Sequence, residues 1–299
     1  MAQLHLIAGA DGIAGAEQKL PVVRKIAMRD LKDALAKGID DFRAFPTHVI
    51  FLSVIYPIIG LVVARLAFGY SVLPLIYPIA SGFALVGPVA ALGLYELSRQ
   101  REEGREPSVM EAFDIVHSSS IGAICAIAFL FVVIFGVWLA VANGIYIMAF
   151  GYGSPASLNQ FVHDLVTTSA GWYIIVVGNF VGLCFAAVAL SVGVISFPML
   201  VDRDVGAAVA LCTSLRAVAH NPVTFGIWGL IVAALLVIGS IPCFLGLAIV
   251  LPVLGHATWH LYRRTIDAGG APRPIVRPIE IRTGTGADFP VNLLPWRRR

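Results

Sequence analysis

Between residues 47 and 261 the chain consists of long apolar runs separated by short polar ones. Six runs stand out, at 47–68, 73–97, 121–149, 172–201, 223–238 and 241–261, the last two split at Gly239-Ser240. A hydrocarbon core of about 30 Å takes about 20 apolar residues of helix, with every backbone polar group satisfied inside the segment. The pattern predicts an all-α polytopic membrane protein with six transmembrane helices in three hairpins.

Ahead of each hairpin the period changes to that of an amphipathic helix. Met28, Leu31, Leu35, Ile39, Phe42 and Phe45 recur at steps of three and four, with Arg29, Lys32, Asp33, Asp40 and Asp41 between them. That spacing draws one apolar stripe along a helix. A second stretch opens with the capping-box pattern Ser108-Val-Met-Glu111 and carries Met110, Phe113 and Val116 on one face. A third starts after Asp204 as N-cap and ends at Asn221-Pro222, because the residue before proline is pushed out of the helical region. All three are expected to lie against the bilayer on its cytoplasmic side. Ser157-Leu-Asn-Gln160 opens a fourth amphipathic stretch on the far side. The chain therefore reads either as three repeated units or as hairpins whose linkers became amphipathic beside lipid.

Composition agrees with the pattern. Of 299 residues 58% are hydrophobic and 13% charged, against about 25% charged in a soluble domain. Disorder is excluded by the same hydrophobicity, and a net charge of +3 gives nucleic-acid binding little support. The basic residues set the orientation. Of the 21 Lys and Arg, all but Arg65 fall before the first run, between the second and third, between the fourth and fifth, or after the sixth. Lys and Arg in short loops stay on the cytoplasmic side, so both termini are expected there. Residues 1–20 show no charged region followed by an apolar run, and no cleavable signal peptide is expected. Cys125, Cys184, Cys212 and Cys243 form no CxxC pair and read as small buried hydrophobes.

Few residues suggest chemistry. His256 and His260 stand four apart on the sixth run, hence on one helical face, and with His48 they could ligate haem iron or a transition metal. The plainer alternative is interfacial histidines bonded to headgroups or loop carbonyls. Arg65, Asn143 and Asn179 could line a path, or could snorkel and bond between helices. Pro57 and Pro78, each in an Ile-Tyr-Pro-Ile tetrapeptide, should bend the first two spans. Gly178 and Gly182 form a GxxxG where another helix, most simply of this chain, can approach closely. Glu96 can pair with Arg99 one turn on. Nothing resembles a nucleophile with its base, a phosphate loop or a carboxylate pair. The chain reads as not itself an enzyme, and no cofactor is predicted. The tail from Asp267 to Arg299, rich in Gly, Pro and Arg, reads as disordered or bound to a partner.

The run Leu31-Lys-Asp-Ala-Leu35, the run Gly87-Pro-Val-Ala-Ala-Leu-Gly-Leu-Tyr-Glu96 and the run Asn221-Pro-Val-Thr-Phe-Gly-Ile-Trp228 carry a resemblance. Over about residues 24–264 the chain resembles a family of bacterial integral membrane proteins, the domain of unknown function numbered 2189. The resemblance implies a bacterial inner-membrane protein. Some members carry the provisional label of a cytochrome c oxidase subunit, which implies at most an accessory role here, since an oxidase core has twelve spans and membrane-embedded histidines. The expected organisation is a cytoplasmic extension at 1–23, a six-helix membrane domain at 24–264 and a cytoplasmic tail at 265–299. The leading functional expectation is a structural or accessory component contacting lipid and other membrane subunits or itself. A small-solute transporter or channel, and a haem- or metal-binding oxidoreductase subunit, are the alternatives.

Overall fold

A computed structural model describes residues 21–45, 60–61, 73–83, 85, 87–153, 155, 157–242 and 245–276. His48, Pro57, Arg65 and Cys243 lie outside them, as does nearly all of the first predicted span.

The chain enters through a two-residue strand, β1 (Val22–Val23), and a helix, α1 (Met28–Ala44). The second predicted span is a broken helix: α2 (Ile76–Phe83), α3 (Gly87–Ala90) and α4 (Leu92–Glu102). A short helix, α5 (Val109–Phe113), leads to the long α6 (Ile121–Phe150). On the far side α7 (Leu158–Thr167) precedes α8 (Ser169–Tyr173), a π-helical turn at Ile174–Gly178, α9 (Asn179–Gly193) and α10 (Ser196–Asp202). The chain closes with α11 (Gly206–His220), α12 (Pro222–Ser240), α13 (Leu247–Thr265) and β2 (Ile266–Asp267), which pairs antiparallel with β1.

Among the described residues four helical stretches are long and apolar enough to cross a membrane: Ile76–Glu102, Ile121–Phe150, Ser169–Asp202 and Pro222–Ser240. Helix α13, where the sixth span is predicted, is not one of them. It carries Thr258, His260, Arg263, Arg264 and Thr265, and it is enclosed by protein, with Trp259, Leu261 and Tyr262 almost wholly buried. It also starts later than the pattern suggests, at Leu247. Just before it Gly246 lies against Gly239, where a Cβ would come within 2.8 Å of the Gly239 carbonyl oxygen.

Helix α1 departs from expectation in what it covers. Leu31, Ala34, Gly38 and Asp41 are buried, and the stripe faces α13 rather than lipid. Gly38 makes this possible, since a Cβ there would sit 2.7 Å from the Ala257 nitrogen and the Val253 oxygen. The proposed capping boxes at Ser108 and Ser157 supply one hydrogen bond each, to the Glu111 and Gln160 amides. Asp204 caps nothing: α11 starts after Val205, and the Asp204 carboxylate accepts the Ser119 hydroxyl instead. Cys125, Cys184 and Cys212 are exposed, not buried.

The packed core lies at one end of the helices. Ile195, Phe197, Met199, Leu200, Phe225, Trp228, Trp259, Leu261 and Tyr262 are at most 1% exposed. Backbone contacts join the same end. The Arg24 amide donates to the Thr265 carbonyl at 2.8 Å, and Asn221 accepts from the Ile26 amide at 3.0 Å and donates to the Arg24 carbonyl at 3.1 Å. The first ten residues of the tail are docked there too. The Asp204 amide donates to Pro272, the Ser119 amide to Ile275, and Arg273 pairs with Glu103. Elsewhere the spans bury little: 22% of the most apolar part of Ile121–Phe150, and the same share of Pro222–Ser240.

Candidate functional site

Where α1, α4 and α13 meet, the core takes in polar side chains. Asp41 is 4% exposed, Ser98 1% and His256 0%. One oxygen of the Asp41 carboxylate, Oδ1, accepts from the Arg101 guanidinium. The other, Oδ2, lies 2.6 Å from Ser98 Oγ and 2.8 Å from His260 Nε2. Ser98 Oγ is also 2.6 Å from His256 Nδ1. A carboxylate only accepts, so the single hydroxyl hydrogen of Ser98 goes to Asp41, and Ser98 accepts in turn from His256 Nδ1–H. This bookkeeping assigns the tautomer and leaves His256 Nε2 a bare acceptor. That atom is buried and has no hydrogen-bond partner among the described residues.

Burial pushes the Asp41 carboxyl up, but the hydrogen bonds from His260 and Ser98 and the charges of both histidines outweigh it. Its pKa lies below the usual carboxylate value. Two further clusters flank it. Glu96 takes a two-pronged bond from Arg99, both arms at 2.8 Å, and accepts from Gln100. Asp202 accepts from the Tyr262 hydroxyl at 2.7 Å and from Arg263, while Glu102 accepts from Trp259 and Arg263. Burial, with the Asp202 charge and hydrogen bond, drives the Tyr262 phenol well above its ordinary value.

The order of the Asp41–Ser98–His256 chain decides what it can do. In a hydrolase triad the imidazole sits between carboxylate and hydroxyl and draws the hydroxyl proton. Here the hydroxyl sits in the middle and gives its proton to the carboxylate, so Ser98 is not activated. Nor do the histidines converge on a metal position, since each is engaged with Asp41 directly or through Ser98. No group of three or more His, Cys, Asp or Glu among the described residues could hold a metal ion. The arrangement binds one helix to two others through a single shared charge.

The remaining sequence candidates are scattered. The Tyr77 hydroxyl donates to Asn179 Oδ1 at 2.8 Å, and Asn179 Nδ2 donates to the Ile175 carbonyl inside the π-helical turn. Pro78 presents its carbonyl to Trp138 Nε1 at 3.0 Å. Gly182 receives the Trp138 ring, 3.2 Å from where a Cβ would be, whereas Gly178 meets only its own helix. Asn143 is exposed on α6. Sequence reasoning missed Asp41, Ser98, Arg101 and Asn221. Only Asp41 left a signal: it stands three residues after Gly38, in line with Leu31 and Ala34 on the buried face.

Residues 75–202 match the family model described as predicted integral membrane protein (DUF2189). The chain carries an integral membrane protein sequence. The DUF2189 match takes in Ser98, Arg101 and Asp202 and stops short of Asp41 and the two histidines, so the cluster joins the matched segment to sequence on both sides of it. No curated protein and no solved structure matches the chain.

Proposed function

We propose that this protein is a non-catalytic accessory component of a bacterial inner-membrane assembly, with six spans and both termini cytoplasmic. The observation that carries the reading is the distribution of packing. Interior contacts concentrate at the charged end, while Phe129, Val132 and Val137 of α6, Leu183 of α9 and Leu230 and Val237 of α12 point outward. In lipid, helices associate by packing and interhelical hydrogen bonds, and such faces suit lipid or the helices of other subunits. The meeting of Arg24, Glu103, Asp204, Asn221 and Thr265 at one end supports a chain that returns to the same side after each hairpin.

A respiratory oxidase is one assembly of this kind. The test is purification of the tagged full chain in mild detergent with identification of membrane proteins that remain bound. A stoichiometric membrane partner is the expected result. A solitary protein that conducts a small solute in liposomes would establish the transporter reading instead. A stoichiometric visible absorption band lost in His256→Ala would establish the haem reading.

A further inference from the structure

The cluster holds one feature that packing leaves unused, a fully buried imidazole nitrogen without a partner among the described residues. We propose that Asp41, Ser98, His256 and His260 form an acid-released latch that fastens α1 to α4 and α13. The proposal stands independently of the accessory reading.

The charged and titratable groups facing His256 are Asp41 from α1, Arg101 from α4 and His260 from its own helix. Helix α12 carries none, and Asp202 of α10 is engaged by Tyr262 and Arg263. In the latched form His256 is neutral, its one hydrogen committed to Ser98. A proton added at Nε2 would create a buried, charged N–H with no acceptor among the described residues. The Asp41 carboxylate, 3.8 Å from Nδ1, attracts such a charge, but burial weighs most against it and Arg101 repels it as well. Once α1 leaves, the same imidazole is hydrated and takes a proton at about pH 6.5. The released form therefore binds a proton that the latched form excludes, and latching weakens as the pH falls through that value. His260 holds the same carboxylate from the other side, its Nε2–H donating to Asp41 Oδ2 at 2.8 Å. Release uncovers Leu31, Ala34 and Leu35, freeing the amphipathic helix for the membrane surface.

The test is hydrogen–deuterium exchange of the α1 amides in the full-length protein in lipid nanodiscs, at pH 7.5 and pH 5, corrected for the intrinsic pH dependence of exchange. The wild type is expected to exchange at least tenfold faster at pH 5. In His256→Asn, whose amide supplies the donor to Ser98 but cannot titrate, that rise disappears. In His260→Gln, whose amide keeps a donor to Asp41 while His256 is untouched, the rise persists. A flat wild-type response, a rise that survives in His256→Asn, or one abolished in His260→Gln overturns the latch. Should His256→Asn fail to fold, nitrogen-15 spectra of the wild-type histidines decide. His256 must carry its proton on Nδ1 at pH 7.5 and gain the second as α1 is released; a proton on Nε2 at pH 7.5 overturns the proposal.

Discussion

Asp41 shows how one side chain can hold three helices. Its carboxylate takes donors from Arg101, Ser98 and His260, so its removal strands a guanidinium, a hydroxyl and an imidazole together. Breaking a buried ion pair costs about 3–5 kcal/mol. Arg101 is 40% exposed and partly screened by water, which places Asp41→Ala near the bottom of that range, at about 3 kcal/mol. In a protein this size that is a fall in Tm of roughly 6–12 °C, measurable by thermal scan in detergent. The same residue sets an acid limit. A carboxylate held below its ordinary value contributes stability above that value and loses it as the pH falls through the folded one. Wild-type Tm is therefore expected to drop as the pH is taken below 3.8, and Asp41→Asn to show a smaller drop, since Asp267, held down by Arg24, still contributes. The sequence made Asp41 look like a solvated acid because Asp40 and Arg43 beside it are exposed. Helical spacing from Gly38 is the clue that outweighs that neighbourhood.

At the scale of elements, the apolar pattern located the helices well and their partners poorly. Period and capping residues placed α1, α5 and α7, and the Asn221-Pro222 step placed the end of α11, because those signals are local. What a stripe covers depends on a crossing partner far away in sequence, and α1 turned from bilayer to protein for that reason. Gly38 is the contact point. An alanine there would gain up to about 1 kcal/mol of helix propensity. Its Cβ would meet backbone atoms 2.7 Å away, which cannot rotate aside. Helix α1 must back off, uncovering Leu31 and Ala34, and overpacking of this kind costs about 1–3 kcal/mol. Gly38→Ala is expected to destabilise the protein and to speed proteolysis at α1, whereas Gly226→Ala, with nothing within 4 Å, should do neither. The π-helical turn at Ile174–Gly178 left no periodicity signal, since one extra residue in an all-apolar run changes no pattern. Asn179, which bonds the Ile175 carbonyl there, was its only mark.

For the whole molecule, charge asymmetry carried more information than hydropathy. Polar contacts among Arg24, Glu103, Ser119, Asp204, Asn221, Thr265 and Arg273 gather the basic segments at one end, as the distribution of Lys and Arg suggests. Single cysteines at Asp11, Ser157 and Gly270, in a background freed of the native four, extend this to the membrane. With impermeant maleimide outside the cell, only the Ser157 variant is expected to react; reaction at Asp11 or Gly270 would reverse the orientation. The site itself was legible only in its histidines, because a cluster built from α1, α4 and α13 spans more than 200 residues of chain. That separation has a consequence in time. Helix α1 leaves the ribosome first and α13 last, about 220 residues later, which at roughly 5–20 residues per second is about 10–45 s of synthesis. Through that interval the stripe of α1 lacks its α13 cover, and Asp41 has the Arg101 of α4 but no histidine beside it. A nascent chain truncated before α13 carries an unanchored amphipathic helix at its front, a handle for quality-control proteases that the finished protein no longer offers.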